Sequence, residues 1–333
     1  MCDIDTIREA YRLARHSRGH TRGVIEFEKD LERNLLKVQA LLLTGRYRSS
    51  DYRQFSIIDK GKKRRISALP FYPDRVVHWA LILTTRHIFM RNFIATTYAA
   101  IPGKGTHSAL KDVKRALRDP KAAYVLKMDV HHCFESIDKG ILYDMVERRI
   151  KDPSILGLFQ EIIFGYPDKG LPIGNLTSQY LANLYLSGLD HFMKERYHCR
   201  WYFRYMDDIV ILGWSKTWLH RVRKKIARIL SELHMSVNGN WHVAPVSARG
   251  VDFVGYRMYP TFILLRQDTK QRMKRRTGRI LAQLNSGMPY DVHMEGTISA
   301  YHGILSWCDG FRLHDRYITP ISRRIQDAES KRQ

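Results

Sequence analysis

The stretch Tyr202-Phe203-Arg204-Tyr205-Met206-Asp207-Asp208-Ile209-Val210-Ile211-Leu212-Gly213 constrains the chain more than any other. Aromatic residues precede Asp207-Asp208 and β-branched residues follow, which predicts a hairpin with both acids at its tip. Neighbouring carboxylates repel, so such a tip is costly unless a cation sits there. Hard divalent cations such as Mg²⁺ take oxygen ligands and leave room for substrate phosphates. An isolated Asp-Asp pair is more commonly a solvated acidic turn, and the rest of the chain decides which reading holds.

Charge bears on that choice. The 333 residues carry 56 Lys+Arg against 33 Asp+Glu, a formal net charge of +23. This excess repels itself unless something anionic binds, and nucleic acid is the usual partner. A hydrophobic fraction of 44% supplies a core and excludes a disordered chain. The length suits one large domain or two to three lobes. No run of about 18 apolar residues occurs, and Met1-Cys2-Asp3-Ile4-Asp5 lacks the basic-then-apolar order of a signal peptide. The expectation is a cytoplasmic protein with no membrane partner. Cys2, Cys133, Cys199 and Cys308 form no Cys-x-x-Cys pair, so neither a disulfide framework nor a zinc knuckle is expected. His131-His132 and His16/His20 lack partners at zinc spacing and read as basic-surface histidines.

Residues 1–50 read as helical. Ile4, Ile7, Tyr11 and Leu13-Ala14 recur at helical spacing, and Phe27, Leu31, Leu35-Leu36, Val38 and Leu41-Leu42 do so more clearly. A basic loop at 16–22, with Gly19 and Gly23, separates the two runs, and Gly45 ends the second. Residues 55–67 form an apolar run, a Lys60-Gly61 turn and a returning strand that opens with Lys62, Lys63, Arg64 and Arg65. That hairpin is either a solvated basic turn or a clamp on a triphosphate, since Arg offers a rigid fork to phosphate and Lys a point charge. A helix over 73–91 follows, with Val76-Val77, Ala80-Leu81 and Leu83-Thr84 inward. The glycine loop at 97–107 enters a helix at about Ser108. It lacks Walker spacing and is a plain turn or a nucleic-acid contact through backbone N–H groups and Lys104.

Tyr124-Val125-Leu126-Lys127-Met128-Asp129 reads as a buried strand ending in an acid. Asp138 is a candidate N-cap for the helix beyond Phe134. A third carboxylate beside Asp207 and Asp208 would complete a two-metal site. The loop at 170–179 runs into a helix capped by Thr177 or Ser178, with Tyr180-Leu181, Leu184-Tyr185 and Leu189 inward. A helix over 218–233 and strands at 242–244 and 251–256 come next. Residues 266–280 hold seven Lys/Arg and one acid, Asp268; this basic helix or helix pair is a solvated face or a surface that grips a nucleic-acid backbone.

Taken in order, these pieces resemble the reverse transcriptases. Tyr205-Met206-Asp207-Asp208 is similar to the Tyr-x-Asp-Asp box. Asp129 with Phe134 five positions later is similar to the first catalytic strand, Gly174-Asn175-Leu176-Thr177-Ser178-Gln179 to the template-and-nucleotide loop, and Phe253-Val254-Gly255-Tyr256 to the primer grip. The resemblance covers about residues 25–265. It implies an α+β right-hand polymerase fold of fingers, palm with antiparallel sheet, and helical thumb. The implied boundaries are an N-terminal helical extension at 1–50, fingers at 51–123 with part of 150–180, palm at 124–258 and a basic helical thumb at 259–333. Ile173 before Gly174, with Ser178-Gln179, is similar to the reverse transcriptases of diversity-generating retroelements, as are Arg64 to Leu69 and Gly103-Lys104-Gly105-Thr106-His107. Ile101 departs from that group, which often has Arg before Pro-Gly.

The resemblance implies an RNA-directed DNA polymerase working by two-metal nucleotidyl transfer. Two Mg²⁺, with Mn²⁺ able to substitute, would be held by Asp129, Val130, Asp207 and Asp208, with Asp208 the weaker or indirect ligand. Lys63, Arg64, Arg65, Phe134, Ile173, Gly174 and Gln179 would meet the deoxynucleoside triphosphate, Phe134 rejecting a 2′-hydroxyl. Lys104, Tyr205, Met206, Phe253, Gly255, Tyr256, Arg266, Lys270, Lys274 and Arg275 would meet template RNA and primer or cDNA. Ile173, which cannot hydrogen-bond as Gln would, implies errors opposite template adenines. A small basic helical accessory protein is the implied partner. The assigned lobes use up the chain, so no ribonuclease H, integrase or endonuclease domain is expected. The alternatives are a retron, phage-defence or intron-type reverse transcriptase, or a catalytically idle maturase-like RNA binder.

Overall fold

In this computed structural model residues 1–59 and 61–330 are described; Lys60 of the expected Lys60-Gly61 turn and residues 331–333 of the basic C-terminal region lie outside them. The chain divides into two compact units. One comprises Met1–Gly105, Met128–Ile209 and Arg221–Trp241, the other Thr106–Lys127, Val210–His220 and His242–Gln333.

Strands β1 (Arg53–Asp59) and β2 (Lys62–Ala68) form an antiparallel pair, with Phe55 opposite Ile66 and Ile57 opposite Arg64. A four-stranded sheet has the order β4-β5-β3-β6, from β3 (Tyr124–Asp129), β4 (Trp201–Tyr205), β5 (Asp208–Gly213) and β6 (His242–Pro245). A third sheet joins β7 (Val251–Phe253), β8 (Tyr256–Met258) and β9 (Ile263–Leu265). The acidic hairpin is therefore present, with β4 and β5 as its arms.

In the first unit, helices Ile4–Arg15 and Val76–Met90 pack through Ile7, Ala10, Val77, Ala80 and Leu81, all fully buried. Tyr11, Phe27 and Phe71 cluster beside them, with ring centroids 5.5 Å apart for Tyr11–Phe27 and for Phe27–Phe71. The second helical run is two helices, Arg22–Glu28 and Leu31–Leu43, because Asp30 leaves helical geometry at φ −141°. Arg22 and Gly23 thus belong to a helix rather than to the expected basic loop. In Val76–Met90 the expected Val76, Val77, Ala80 and Leu81 are buried, and so are Ile82 and Thr85, whereas Leu83 and Thr84, expected inward, are half-exposed. Helix Leu176–Tyr185 starts after Asn175, which holds the N-cap position without a side-chain capping bond, and the expected caps Thr177 and Ser178 are buried inside the helix.

In the second unit the expected strand over 251–256 is a hairpin. Val254 and Gly255 form its turn at φ 46° and 93°, and β7 pairs with β8. The basic C-terminal segment contains four helices, Gln267–Asn285, Val292–Leu305, Phe311–Tyr317 and Thr319–Ser330. The first buries Met273, Thr277, Ile280 and Leu284, one stripe at helical spacing.

Asp138 caps Lys139–Glu147 as the sequence predicts. Its Oδ1 accepts the N–H groups of Gly140 and Ile141 at 2.9 and 3.0 Å. Chiefly because of the Ile141 N–H, the Asp138 carboxyl titrates below its ordinary value. A depressed folded pKa contributes stability that is fully present above the unfolded value and is lost as pH falls through the folded one. Asp138→Ala is expected to cost about 1 kcal/mol at neutral pH, read from urea midpoints. The gap from wild type should close as pH drops below the ordinary Asp value of roughly 3.9.

Candidate active site

The three predicted acids stand at adjoining ends of the two central strands of the four-stranded sheet. Asp129 ends β3, Asp208 opens β5, and these strands are neighbours. Asp207 stands in the turn before β5, and its carbonyl accepts the Val130 N–H at 3.0 Å. On the other side of the 129–131 segment, the Asp129 carbonyl accepts the Asn238 N–H at 2.9 Å and the Ser236 carbonyl accepts the His131 N–H at 2.8 Å. The end of β3 is therefore clamped from both sides.

The side chains of Asp129, Asp207 and Asp208 are half-buried. Asn238 Nδ2 donates to Asp129 Oδ2 at 2.8 Å, which fixes that carboxylate. Asp208 Oδ1 is shut away from solvent. Cys133 lies close by: burial, with the Asp207 charge adding to it, pushes its thiol up to about 12. A thiol so far from ionisation is neither a ligand nor a nucleophile at neutral pH.

Among the described residues no group of three or more His, Cys, Asp and Glu is gathered to hold a metal by itself. The donors at these strand ends are all oxygen. They fit a hard divalent cation of the kind that takes one or two protein carboxylates and completes its shell with water and substrate phosphates.

One loop, at 170–175, is tied both to Phe134 and to β2. The Leu171 N–H donates to the Phe134 carbonyl at 2.8 Å. Gly170, at φ 75°, presses on the same place, and a Cβ there would stand 2.3 Å from that carbonyl oxygen. Only glycine meets both the backbone angle and the approach, so Gly170 seats half-buried Phe134. Further along, the Ile173 carbonyl accepts the Ser67 N–H at 3.3 Å, and Gly174, at φ 125°, stands against Ile66 Cγ2. The 170–175 loop is thus docked on β2. Gln179 is exposed in the first turn of Leu176–Tyr185.

Side chains alternate across β2. Ile66 faces the Gly174 loop, so Arg64 shares that face and Lys63 and Arg65 take the other. Arg65 is committed there: its Nε donates to Gln54 Oε1 at 3.1 Å and its Nη2 stands 3.3 Å from Asp168. Lys104 Nζ donates to the Ala95 carbonyl at 2.9 Å, and Ile101, where the resembled group often has Arg, is a buried core residue.

Within the second unit, Phe253 and Tyr256 are buried. Lys127 Nζ lies 5.4 Å from the Phe253 ring centre, and the Tyr256 hydroxyl donates to the Ile304 carbonyl at 3.0 Å. These rings anchor the hairpin, and the Gly255 carbonyl accepts the Arg266 N–H at 3.1 Å. Arg275 is exposed on the face opposite the buried stripe of its helix, Lys274 is exposed at the stripe's flank, and Lys270 is half-exposed in line with the stripe, one turn before Met273.

Sequence reasoning missed Asn238 and Gly170. Asn238 sits in Val237-Asn238-Gly239-Asn240, which reads as an ordinary turn, and its role exists only through its bonds to Asp129. Gly170 opens a loop already singled out, but its approach to Phe134 crosses more than thirty positions of sequence.

Comparison with known proteins agrees with this arrangement. The family model described as reverse transcriptase (RNA-dependent DNA polymerase) matches residues 57–258, more than half of the chain. Protein YkfC of Escherichia coli is 26% identical over 303 residues, covering 76% of this chain and 80% of its own length. The group II intron-encoded protein LtrA of Lactococcus lactis is 28% identical over 185 residues, 52% of this chain but 31% of LtrA. Among solved structures, the telomerase of Candida albicans aligns with a TM-score of 0.52 at 12% identity, over 85% of this chain and 61% of that one. The telomerase of Candida tropicalis gives 0.51 at 14%, over 72% and 52%. Likeness at such identity shows the fold, which is the α+β right-hand polymerase fold. No helix of the described residues is long and apolar enough to cross a membrane. With the Asp129 and Asp207-Asp208 strands side by side and the family model spanning them both, this chain belongs to the reverse transcriptases, the RNA-dependent DNA polymerases.

Proposed function

We propose that the chain extends a primer along an RNA template by adding deoxynucleotides, with Asp129 and Asp207 as its principal cation-holding carboxylates and Asp208 as a weaker or indirect one. The observation that carries this reading is the Val130 N–H bond to the Asp207 carbonyl, which joins the two acidic strand ends. With two Mg²⁺ bound, or Mn²⁺ in their stead, the site would gain the Lewis acids that activate a primer 3′-hydroxyl and neutralise the leaving pyrophosphate. The protein's own share is placement and charge neutralisation. Asn238 keeps the Asp129 carboxylate aimed. Arg64, on the face of β2 that carries the Gly174 loop, is the residue of 63–65 best placed for the triphosphate. Lys63 and Arg65 belong to the opposite face. Phe134, seated by Gly170, would stand under the sugar and exclude a 2′-hydroxyl.

The lobes follow the same reading: an extension at 1–50, fingers at 51–123 with part of 150–180, palm at 124–258 and thumb at 259–333. In the thumb Lys270, Lys274 and Arg275 would hold backbone phosphate, helped by Arg266; Lys104 and the Tyr205-Met206 turn would lie along the strands, and the turn at Val254-Gly255 would meet the primer. Such binding weakens steeply with salt. The work would be done in the cytoplasm on an RNA partner, consistent with the telomeric RNA fragment held by the Candida albicans telomerase.

Ile173 supports the finer assignment to a diversity-generating retroelement, with a small basic helical accessory protein. Its backbone carbonyl is spent on Ser67 and its side chain offers no hydrogen bond, so the nascent pair is policed by shape alone. The group II intron-encoded and intron maturase relatives favour a second reading, an intron-type enzyme. Copying of a defined RNA separates the two: the first predicts misincorporation concentrated opposite template adenines, and Ile173→Gln should reduce it. Unchanged errors at adenines in that variant would remove the support from Ile173.

Two further outcomes test the site. Asp207→Asn should abolish divalent-cation-dependent extension of oligo-dT on poly-rA while RNA binding stays within a few-fold of wild type. Asn238→Ala should slow extension roughly 10–100-fold and raise the Mg²⁺ concentration needed for half-maximal rate.

A further inference from the structure

The turn that presents Asp207 is strained. Met206 adopts φ 55°, a region that suits Gly or Asn in a two-residue hairpin and costs other residues on the order of 1–3 kcal/mol. Something has to hold it. Two residues before Met206, in the otherwise apolar and aromatic strand β4, stands Arg204, which is 0% exposed.

Every N–H of the Arg204 guanidinium has a partner. Nε and Nη2 take both oxygens of Asp190 at 2.7 and 2.5 Å. Nη2 also lies 3.5 Å from the Asn183 carbonyl. Nη1 donates to Asn183 Oδ1 at 3.0 Å and to the Met206 carbonyl at 2.9 Å. Asp190 is saturated in turn by the Tyr202 hydroxyl at 2.7 Å and the Thr97 hydroxyl at 3.0 Å. Asn183 Nδ2 is fixed on the Ala99 carbonyl at 2.8 Å. A buried charge pair this complete is rigid, because breaking any member leaves an unpaired polar group out of water. Burial works against the Arg204 charge, but the Asp190 carboxylate outweighs it and raises the pKa above the ordinary guanidinium value. The guanidinium therefore stays protonated at any working pH.

We infer that Arg204 is a positioning residue for polymerisation: anchored by Asp190 and Asn183, it holds the Met206 carbonyl and so locks the turn that aims Asp207 and Asp208. Four of its five N–H groups tie it to helical residues, and the fifth reaches the turn. Lysine cannot replace it, since an ammonium has three donors and no planar fork. The inference rests on the reading of Asp207 as a cation-holding carboxylate. It adds that the precision of the site comes from a salt bridge that touches neither substrate nor cation.

The test is steady-state extension of oligo-dT on poly-rA by the full chain, with Mg²⁺ titrated. Arg204→Lys should lower kcat on the order of 100-fold, as a misplacement of about 1 Å does. The KM for dTTP and the affinity for primer-template should stay within a few-fold, and the Mg²⁺ requirement should rise. Thr97→Val removes one bond to Asp190 but leaves the bond to Met206; it should lower Tm and keep kcat. Should Arg204→Lys fail to fold, the pair Arg204→Gln with Asp190→Asn leaves no buried charge and serves in its place, with the same loss of kcat. Wild-type kcat in the folded Arg204 variants, or an equal loss of kcat in Thr97→Val, overturns the inference. Activity retained by Asp207→Asn instead overturns the reading on which it rests.

Discussion

One hydrogen bond, from the Val130 N–H to the Asp207 carbonyl, joins two acids that lie 78 positions apart in the chain. Both strand ends carry negative charge, so their approach is electrostatically uphill. Backbone groups drive it instead. The edge of β3 is paired on one side by the Asp207 turn and on the other by Ser236 and Asn238. Main-chain pairing is indifferent to side-chain charge. It is a fitting way to bring repelling carboxylates together before any cation neutralises them.

The surroundings of the acids follow the same economy. Local strain at Met206 and a buried ion pair at Arg204–Asp190 are each unfavourable in isolation. Together they offset one another, because the ion pair supplies the donor that the strained turn needs. Gly170 plays a comparable part for Phe134, where a missing Cβ lets one backbone approach another. In each case a side chain of the proposed site is placed by a group outside that site. This is the division of labour expected where chemistry depends on position rather than on covalent work.

Legibility in the sequence tracked the range of the interaction. The strand Tyr124–Asp129 and the Asp138 cap were readable because alternation, burial pattern and capping are local. The acidic hairpin was readable because two β-prone runs flank it. The strand expected over 251–256 was misread because Val254 adopts left-handed geometry, which almost no β-branched residue does; a Val-Gly pair carries a weak turn signal. Thr177 and Ser178 read as caps because they are good cap types, but the helix begins before them, at Leu176, and both lie inside it. Arg204 was invisible as a functional residue. A charge inside an aromatic strand only becomes meaningful once Asp190 and Asn183, from a helical segment, are seen to enclose it.

Strand β2 shows how a short basic run acquires distinct roles. Lys63, Arg64 and Arg65 are three neighbouring cations as sequence, and the pleat separates them. Arg65 turns to the face of Ser67, where it pairs with the Asp168 carboxylate and donates to the Gln54 amide oxygen. Arg64 turns to the face of Ile66, where the Gly174 loop docks. The docking is itself a backbone bond, Ser67 N–H to the Ile173 carbonyl, so the loop and the strand hold one register. A one-residue slip of β2 would exchange the two faces and put Arg65 where Arg64 stands. The charge that meets the Gly174 loop is therefore chosen by strand register, which the seven-residue pairing of β1 with β2 specifies, and not by which of the three cations has the higher affinity for phosphate.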